Sequence, residues 1–173
     1  PIDEVQMSQN EDDTVTKTYD TDEILINPGK GLVLRNSMNK NYDNILSVFY
    51  YRFEWREIEP EEGKFNWELI DNKIEECKKR NKKFAFGVMS ASSNKNNQYV
   101  TPKWVFDKGA TSYTYNNGYV DQIIPNWKDN IFLENMNKLV EEMGKRYDGN
   151  ENIAYIDIRS YGNWGEQHLG TIN

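Results

Sequence analysis

Hydrophobic residues occur along this chain in two patterns, short continuous runs and helical stripes. The runs cover residues 31–34, 45–53, 83–89 and 153–160, and polar segments separate them. A continuous apolar run of this length is typical of a strand that is covered on both faces, as in a parallel sheet. We therefore predict four strands at these positions.

Two segments between the runs repeat their apolar residues at helical spacing, and we predict both as amphipathic helices. Residues 67–80 follow Asn66, a suitable N-cap, and line one face with Trp67, Ile70, Ile74 and Cys77. Residues 131–147 line one face with Phe132, Met136, Leu139, Val140, Met143 and Tyr147. This spacing favours a core position for Cys77 over a reactive thiol.

The order of elements is strand, strand, helix, strand, long loop, helix, strand. Strands that alternate with helices predict an α/β fold with a parallel sheet and right-handed crossovers. Residues 90–130 show no helical or strand period, so we predict a long irregular loop there, of a length that is often functional. In parallel α/β folds the active site lies at the carboxyl ends of the strands.

Composition and charge narrow the classes of function. Residues 1–20 are acidic and polar, which predicts a flexible leader or linker before a folded domain over residues 21–173. The net charge of -7 argues against a nucleic-acid partner, which needs a basic surface. No stretch approaches the roughly 18 apolar residues of a membrane span. The single cysteine excludes an internal disulfide and leaves the redox compartment open.

Reactive and aromatic side chains concentrate after two of the predicted strands. Arg52, Glu54 and Trp55 follow the second strand, and the fourth strand is followed by Asn163, Trp164, Glu166 and His168. Because the carboxyl ends of parallel strands share one edge of the sheet, we expect these side chains to meet there.

These same residues carry a family resemblance. Residues 52–71 read Arg-x-x-Trp-x-x-Ile-Glu-Pro-x-x-Gly-x-Phe-x-Trp-x-x-Ile-Asp, and residues 162–168 read Gly-x-Trp-Gly-Glu-x-His. With Asn-Pro-x-x-Gly at 27–31, these runs resemble clan A glycoside hydrolases, above all β-galactosidase-like (β/α)8 barrels and their uncharacterised relatives. A complete barrel typically needs roughly 250 residues. The resemblance therefore implies an α/β fold that is the N-terminal half of a TIM barrel, with about four parallel strands and helices packed outside.

The resemblance also implies roles for individual residues. In the clan, a Glu at the end of strand four is the acid/base, and an Asn usually precedes it directly. Glu166 matches this Glu. Its neighbour is Gly165, however, and Asn163 lies three residues before Glu166. Arg52 matches an Arg that holds the nucleophile carboxylate, which the clan takes from strand seven. Glycoside cleavage needs both carboxyl groups. We therefore expect a retaining β-glycosidase that acts on oligo- or polysaccharide, and an inactive isolated chain.

Other site expectations keep their alternatives open. Trp164 could give Glu166 the apolar setting that raises the pKa of an acid catalyst. Substrate contacts are expected from Arg52, Glu54, Trp55, Trp104, Asn163, Trp164 and His168. Against these, Arg52 could neutralise Asp157, Trp55 could pack the loop, and the aromatic residues of 90–130 could stabilise one another. Glu166 and His168 alone make too small a set for a metal, so no metal or cofactor is expected.

Three alternatives remain for the whole chain: a non-catalytic carbohydrate-binding module, a degenerate barrel, or a small complete α/β domain. A half barrel leaves its first and fourth strands as open edges. We expect these edges to pair with a C-terminal half-barrel or to mediate self-association. A secreted or cell-surface bacterial location is expected, with a cytoplasmic one left open.

Overall fold

A computed structural model describes residues 32–93 and 96–170 of the chain. It also describes the backbone of two short antiparallel strands, β1 (Ser8–Gln9) and β2 (Val15–Thr16). The turn expected at 27–31 and most of the leader expected over 1–20 lie outside the described residues. Within the described part, no helix combines the length and the apolar character that crossing a bilayer requires.

Four strands form one parallel sheet in the order β3-β4-β5-β8. They are β3 (Leu32–Arg35), β4 (Leu46–Glu54), β5 (Lys83–Met89) and β8 (Ile153–Asp157). The helices are α1 (Trp55–Ile58), α2 (Glu68–Lys79), α3 (Lys103–Asp107) and α4 (Asn130–Tyr147). The parallel pairing confirms the predicted half-barrel class. The fourth strand ends at Asp157, however, so Glu166 lies in the loop beyond it.

The two central strands, β4 and β5, bury side chains on both faces of the sheet, since successive side chains point to opposite faces. One face carries the main core, where aromatic residues of β4 and β5 pack with the apolar stripes of α2 and α4; its members include Phe49, Phe53, Phe84, Phe86, Ile70, Ile74, Phe132 and Leu139. The opposite face begins with a small cluster of Val48, Tyr50 and Ala85. Cys77 lies fully buried in the main core, as predicted, and burial raises the pKa of its thiol to about 11.

Two details of the helix predictions were wrong. Asn66 does not cap α2, whose N-cap is Trp67 and has no side-chain bond to the helix. Val140 is 52% exposed, because it lies at the margin of the buried stripe of α4. Asn135 is buried on the other margin instead, where its amide donates to the carbonyl of Ile131 and accepts from Lys108.

The segment 90–130 is not the irregular loop that we predicted. It contains α3 and an antiparallel hairpin of β6 (Ser112–Asn116) and β7 (Asp121–Pro125). The side chain of Gln122 in β7 is buried and donates to the carbonyls of Ser92 and Asn97, at 2.9 Å each. This amide ties the hairpin to the loop that follows β5, at the carboxyl edge of the sheet.

Candidate active site

Side chains of β4 and β8 meet on the face of the sheet opposite the helices. Tyr50 and Arg52 are two residues apart on β4, and Asp157 and Arg159 are two apart at the end of β8, so each pair shares a face. Gly87 of β5 lies between them. A Cβ at Gly87 would stand 2.5 Å from Cγ of Arg159 and 3.3 Å from the hydroxyl of Tyr50. The absent side chain at Gly87 thus makes room for the cluster.

Hydrogen bonds join these four side chains. The hydroxyl of Tyr50 donates to Asp157 at 2.7 Å, and Nε of Arg159 donates to the same carboxylate oxygen at 2.7 Å. Nε of Arg52 donates to the hydroxyl of Tyr50 at 3.2 Å. Burial, reinforced by the bond to Asp157, raises the pKa of Tyr50, so the phenol stays protonated as a donor.

Glu166 closes this cluster from the loop after β8. Its Oε1 lies 2.6 Å from Nη1 of Arg52 and 3.6 Å from Nη1 of Arg159, and its Oε2 lies 3.4 Å from Nε2 of His168. The close contact with the Arg52 guanidinium is the main cause that lowers the pKa of Glu166. This corrects our expectation of a raised pKa: Trp164 does not set the ionisation of Glu166 in this chain, since two guanidinium groups keep it charged.

The loop that carries Glu166 follows a sharply turned path. Gly162, Trp164 and Gly165 all have positive φ, at 82°, 54° and 64°. A Cβ at Gly165 would come within 2.5 Å of the backbone of Arg159, and one at Gly162 within 2.7 Å of the backbone of His168. The glycine that directly precedes Glu166 therefore lets the loop fold closely over the strand end, which brings the carboxylate to Arg52.

Two candidate substrate contacts, Asn163 and Glu54, are buried supports of the loops. Oδ1 of Asn163 accepts from the backbone N–H of Ser93 at 2.9 Å, and its side chain is fully buried. Glu54 accepts from the amide of Asn97 at 2.8 Å and from Nε of Arg56 at 2.7 Å. Their polar atoms bind neighbouring parts of the chain, and a contact of either residue with substrate stays a prediction.

Trp55 belongs to the main core, which favours the packing role over a sugar contact, whereas Trp104 is partly buried and packs against that core. Trp55 is fully buried, and its indole donates to the carboxylate of Glu59 at 2.9 Å. The indole of Trp104 donates to the carbonyl of Glu59 at 3.1 Å, and the two rings lie edge to face with centroids 6.0 Å apart. Glu59 also accepts from the backbone of Gly63 at 2.9 Å, so this carboxylate braces the loop after α1.

Trp164 and His168 remain beside Glu166 at the surface. Their ring centroids are 6.1 Å apart, and the backbone N–H of Trp164 donates to the carbonyl of Ala91 at 2.9 Å. Both side chains are partly exposed, so they can contact a bound molecule. In the described ranges, no group of three or more His, Cys, Asp and Glu residues is arranged to hold a metal ion.

Three residues of the cluster were not selected from the sequence: Tyr50, Gly87 and Arg159. The spacing of Asp157 and Arg159 by two residues was a usable signal, because it predicts a shared strand face. A glycine inside the apolar run 83–89 was another, since it often marks a close approach to a strand. Tyr50 gave no signal that distinguished it from the neighbouring aromatic residues of β4.

The parallel sheet and its outer helices define the class of fold, which is the first half of an α/β barrel. Among solved structures, 44 chains match the fold. One is the β-galactosidase from the psychrophilic Marinomonas ef1, with a TM-score of 0.55 and 17% sequence identity over 83% of this chain. The chain spans 23% of the length of that structure.

The sequence comparison assigns the family. The model of glycoside hydrolase family 42, described as β-galactosidase, matches residues 36–163, and the chain belongs to this family. The matched region includes Arg52 and ends at Asn163, just before Glu166. Among curated proteins, none matches the chain significantly.

Proposed function

We propose that this chain is the first half of the catalytic barrel of a retaining β-glycosidase that cleaves oligo- or polysaccharide. Glu166 is the proposed acid/base, and a carboxylate from the second half of the barrel is the proposed nucleophile. The observation that carries the proposal is the contact of 2.6 Å between Glu166 and Arg52 at the carboxyl edge of the sheet. Membership of a β-galactosidase family supports the class of reaction.

The low pKa of Glu166 in this chain fits only one half of such a reaction. An ionised carboxylate can activate the water that releases the second product, but the first step needs a proton donor. In a retaining enzyme the nucleophile lies roughly 5 Å from the acid/base. Such a carboxylate would compete for Arg52 and repel the charge on Glu166, which raises the pKa of Glu166. In this proposal the second half-barrel supplies the nucleophile and also raises the pKa of Glu166 enough for it to act as the proton donor.

Among the described residues, no further strand pairs with the outer edge of β3 or of β8, which supports a partner at these edges. Apolar side chains are exposed on both outer strands and just after β8: Leu32, Val33, Tyr155, Ile156 and Ile158. A small complete domain would cover such edges, whereas a half barrel pairs them with further strands. The C-terminal half-barrel is therefore the proposed partner, and self-association through the same edges is the alternative for the isolated chain.

The nature of the substrate bears on location. An external polysaccharide that is too large for uptake has to be cleaved outside the cell, and for such a substrate we extend the proposal to a secreted or cell-surface bacterial enzyme. Fractionation of the source cells, followed by immunodetection of the protein, tests this point. Recovery of all of the protein from the cytoplasmic fraction would contradict it.

The proposed role of Glu166 is tested by Glu166→Gln in a protein that contains both halves of the barrel. We expect hydrolysis of an alkyl β-galactoside, whose leaving group needs a proton, to fall by roughly 10²–10⁴-fold. A dinitrophenyl galactoside needs no proton for its first step and should lose much less of that step. The matched control is Glu151→Gln, an exposed glutamate before β8. Unchanged turnover of the alkyl galactoside by Glu166→Gln would refute the assignment.

The dependence on the second half has its own test. The 173-residue chain alone should not hydrolyse either galactoside, because it lacks the nucleophile. Addition of the separately expressed second half should restore turnover. Strong activity of the isolated chain would contradict a nucleophile outside it.

A further inference from the structure

A groove of about 480 Å³ lies between the β6–β7 hairpin and the loop after β8. The residues that line it and matter here are Tyr113, Tyr115, Asn126, Trp127, Tyr161 and Leu169. Its volume falls in the range of roughly 300–1,000 Å³ that is typical of small-molecule sites. None of these residues belongs to the charged cluster around Glu166.

Several aromatic rings in the groove are exposed to solvent. Tyr113 and Tyr115 are two residues apart on β6 and therefore share one face of the hairpin. Tyr113 is 61% exposed and Tyr161 is 43% exposed. Aromatic faces with a nearby polar group suit the apolar CH face and the hydroxyl edge of a sugar ring. Asn126 supplies such a polar group in the lining.

Two of the rings, those of Trp127 and Tyr161, are held by contacts within the protein. The indole of Trp127 donates to Oγ of Ser90 at 3.0 Å, and this hydroxyl donates to the carbonyl of Ser160 at 2.7 Å. Trp127 also lies edge to face against Tyr161, with ring centroids 5.0 Å apart. A site whose side chains are already ordered loses less entropy on binding. Gln122 holds the hairpin itself to the loop after β5.

The groove and Glu166 share one loop. Tyr161 and Leu169 line the groove, and Glu166 stands between them in the chain, in the same turn-rich segment after β8. A glycan whose cleaved bond lies at Glu166 would therefore extend along this loop to the hairpin. We propose that the groove binds a neutral sugar unit of an oligosaccharide substrate, next to the unit that is cleaved. This proposal rests on the proposed glycosidase function and adds that the substrate is longer than a disaccharide.

The test compares an oligosaccharide with a single sugar. In a protein that contains both half-barrels and carries Glu166→Gln to prevent turnover, titration calorimetry measures the affinity for β-1,4-galactotetraose and for galactose. We expect Tyr113→Ala and Tyr161→Ala each to weaken binding of the tetraose roughly 3- to 10-fold, because each removes one stacking face. Affinity for galactose should change less than twofold in both variants.

The matched control is Tyr119→Ala, which removes an equally exposed tyrosine, 65% accessible, from the turn of the same hairpin outside the groove. This variant should bind the tetraose as the parent does. The proposal that the groove binds sugar would be overturned if all three variants bound the tetraose equally well, or if Tyr119→Ala lost as much affinity as the groove variants. Failure of the parent protein to bind the tetraose would overturn it too. Circular dichroism that matches the parent shows that the variants are folded.

Failure of the groove and failure of the proposed function are distinguishable. Hydrolysis of a nitrophenyl β-galactoside by the protein with Glu166 intact tests the function without the groove, because the leaving group is a single ring. If that substrate is turned over and the tyrosine variants bind the tetraose as well as the parent does, only the proposal of sugar binding in the groove is overturned. Absent turnover would overturn the glycosidase function and, with it, this account of the groove.

Discussion

Gly87→Ala offers a direct test of the polar cluster on the sheet. The new Cβ would lie 2.5 Å from Cγ of Arg159 and 3.0 Å from the carbonyl oxygen of Asp157. Cγ lies close to the backbone and cannot swing aside as a flexible chain end would. Arg159 must therefore shift, and its bonds to Asp157 must lengthen or break.

The magnitude follows from two contributions. Overpacking of a tightly packed site costs about 1–3 kcal/mol. Weakening of the bond between Arg159 and Asp157, whose side chains are only 14% and 30% exposed, adds about 1 kcal/mol. We expect the free energy of unfolding to fall by about 2–4 kcal/mol, which lowers Tm by roughly 5–15 °C for a chain of this size. Urea denaturation followed by circular dichroism measures the change.

The same substitution at Gly144 serves as the control. Gly144 lies inside α4, and a Cβ there would meet nothing within 4 Å. Because alanine is the better helix former, Gly144→Ala should raise stability by about 0.5–1 kcal/mol. In an Arg159→Ala background, Gly87→Ala should cost less than it does alone, since its closest side-chain neighbour is gone. A Gly87→Ala protein as stable as the parent would refute the proposed crowding.

Three further predictions concern charge, packing and reactivity. Arg52 holds the pKa of Glu166 below its ordinary value of 4.5, so their contact stabilises the fold above pH 4.5 and is lost as the pH falls through the lowered pKa. Urea midpoints measured from pH 7 to pH 3 should therefore fall less steeply for Glu166→Gln than for the parent. Parallel curves for the two proteins would contradict this prediction. Leu139→Ala, at a fully buried position, should lower the free energy of unfolding by about 2–5 kcal/mol. Val140→Ala, at the adjacent exposed position, should change the free energy of unfolding by no more than about 0.5 kcal/mol. Equal losses in the two variants would contradict the observed orientation of this helix. Cys77, whose thiol has a pKa of about 11, should react with a thiol reagent at pH 8 only after denaturant is added, and rapid labelling of the native protein would contradict its burial.

The sheet and the two long helices were predictable because their sequence patterns report burial directly. The continuous runs that became β4 and β5 need cover on both faces, and the structure covers both. The hairpin was missed because β6 exposes nearly every side chain. Its segment, Ser-Tyr-Thr-Tyr-Asn, therefore lacks the buried face that makes a strand recognisable.

The site was predictable only in part, because residues that are close in sequence can point their side chains in different directions. Arg52 and Trp55 are three residues apart, yet Arg52 points to the charged cluster while Trp55 begins α1 and turns into the core. The pairing of Arg52 with Glu166 followed from the rule that strand ends share an edge. The burial of Glu54 depends on the amide of Asn97, a partner that no local pattern identifies.

The position of β8 in the sheet also sets the order in which the protein can fold during synthesis. β3, β4 and β5 follow one another closely, but β8 joins β5 only after the chain has passed through the hairpin and α4. Contacts across such long stretches form late, because closing a longer loop costs more conformational entropy. Arg52 therefore emerges from the ribosome well before Asp157, Arg159 and Glu166. The cluster that balances its charge is completed in the last stage of translation of this segment.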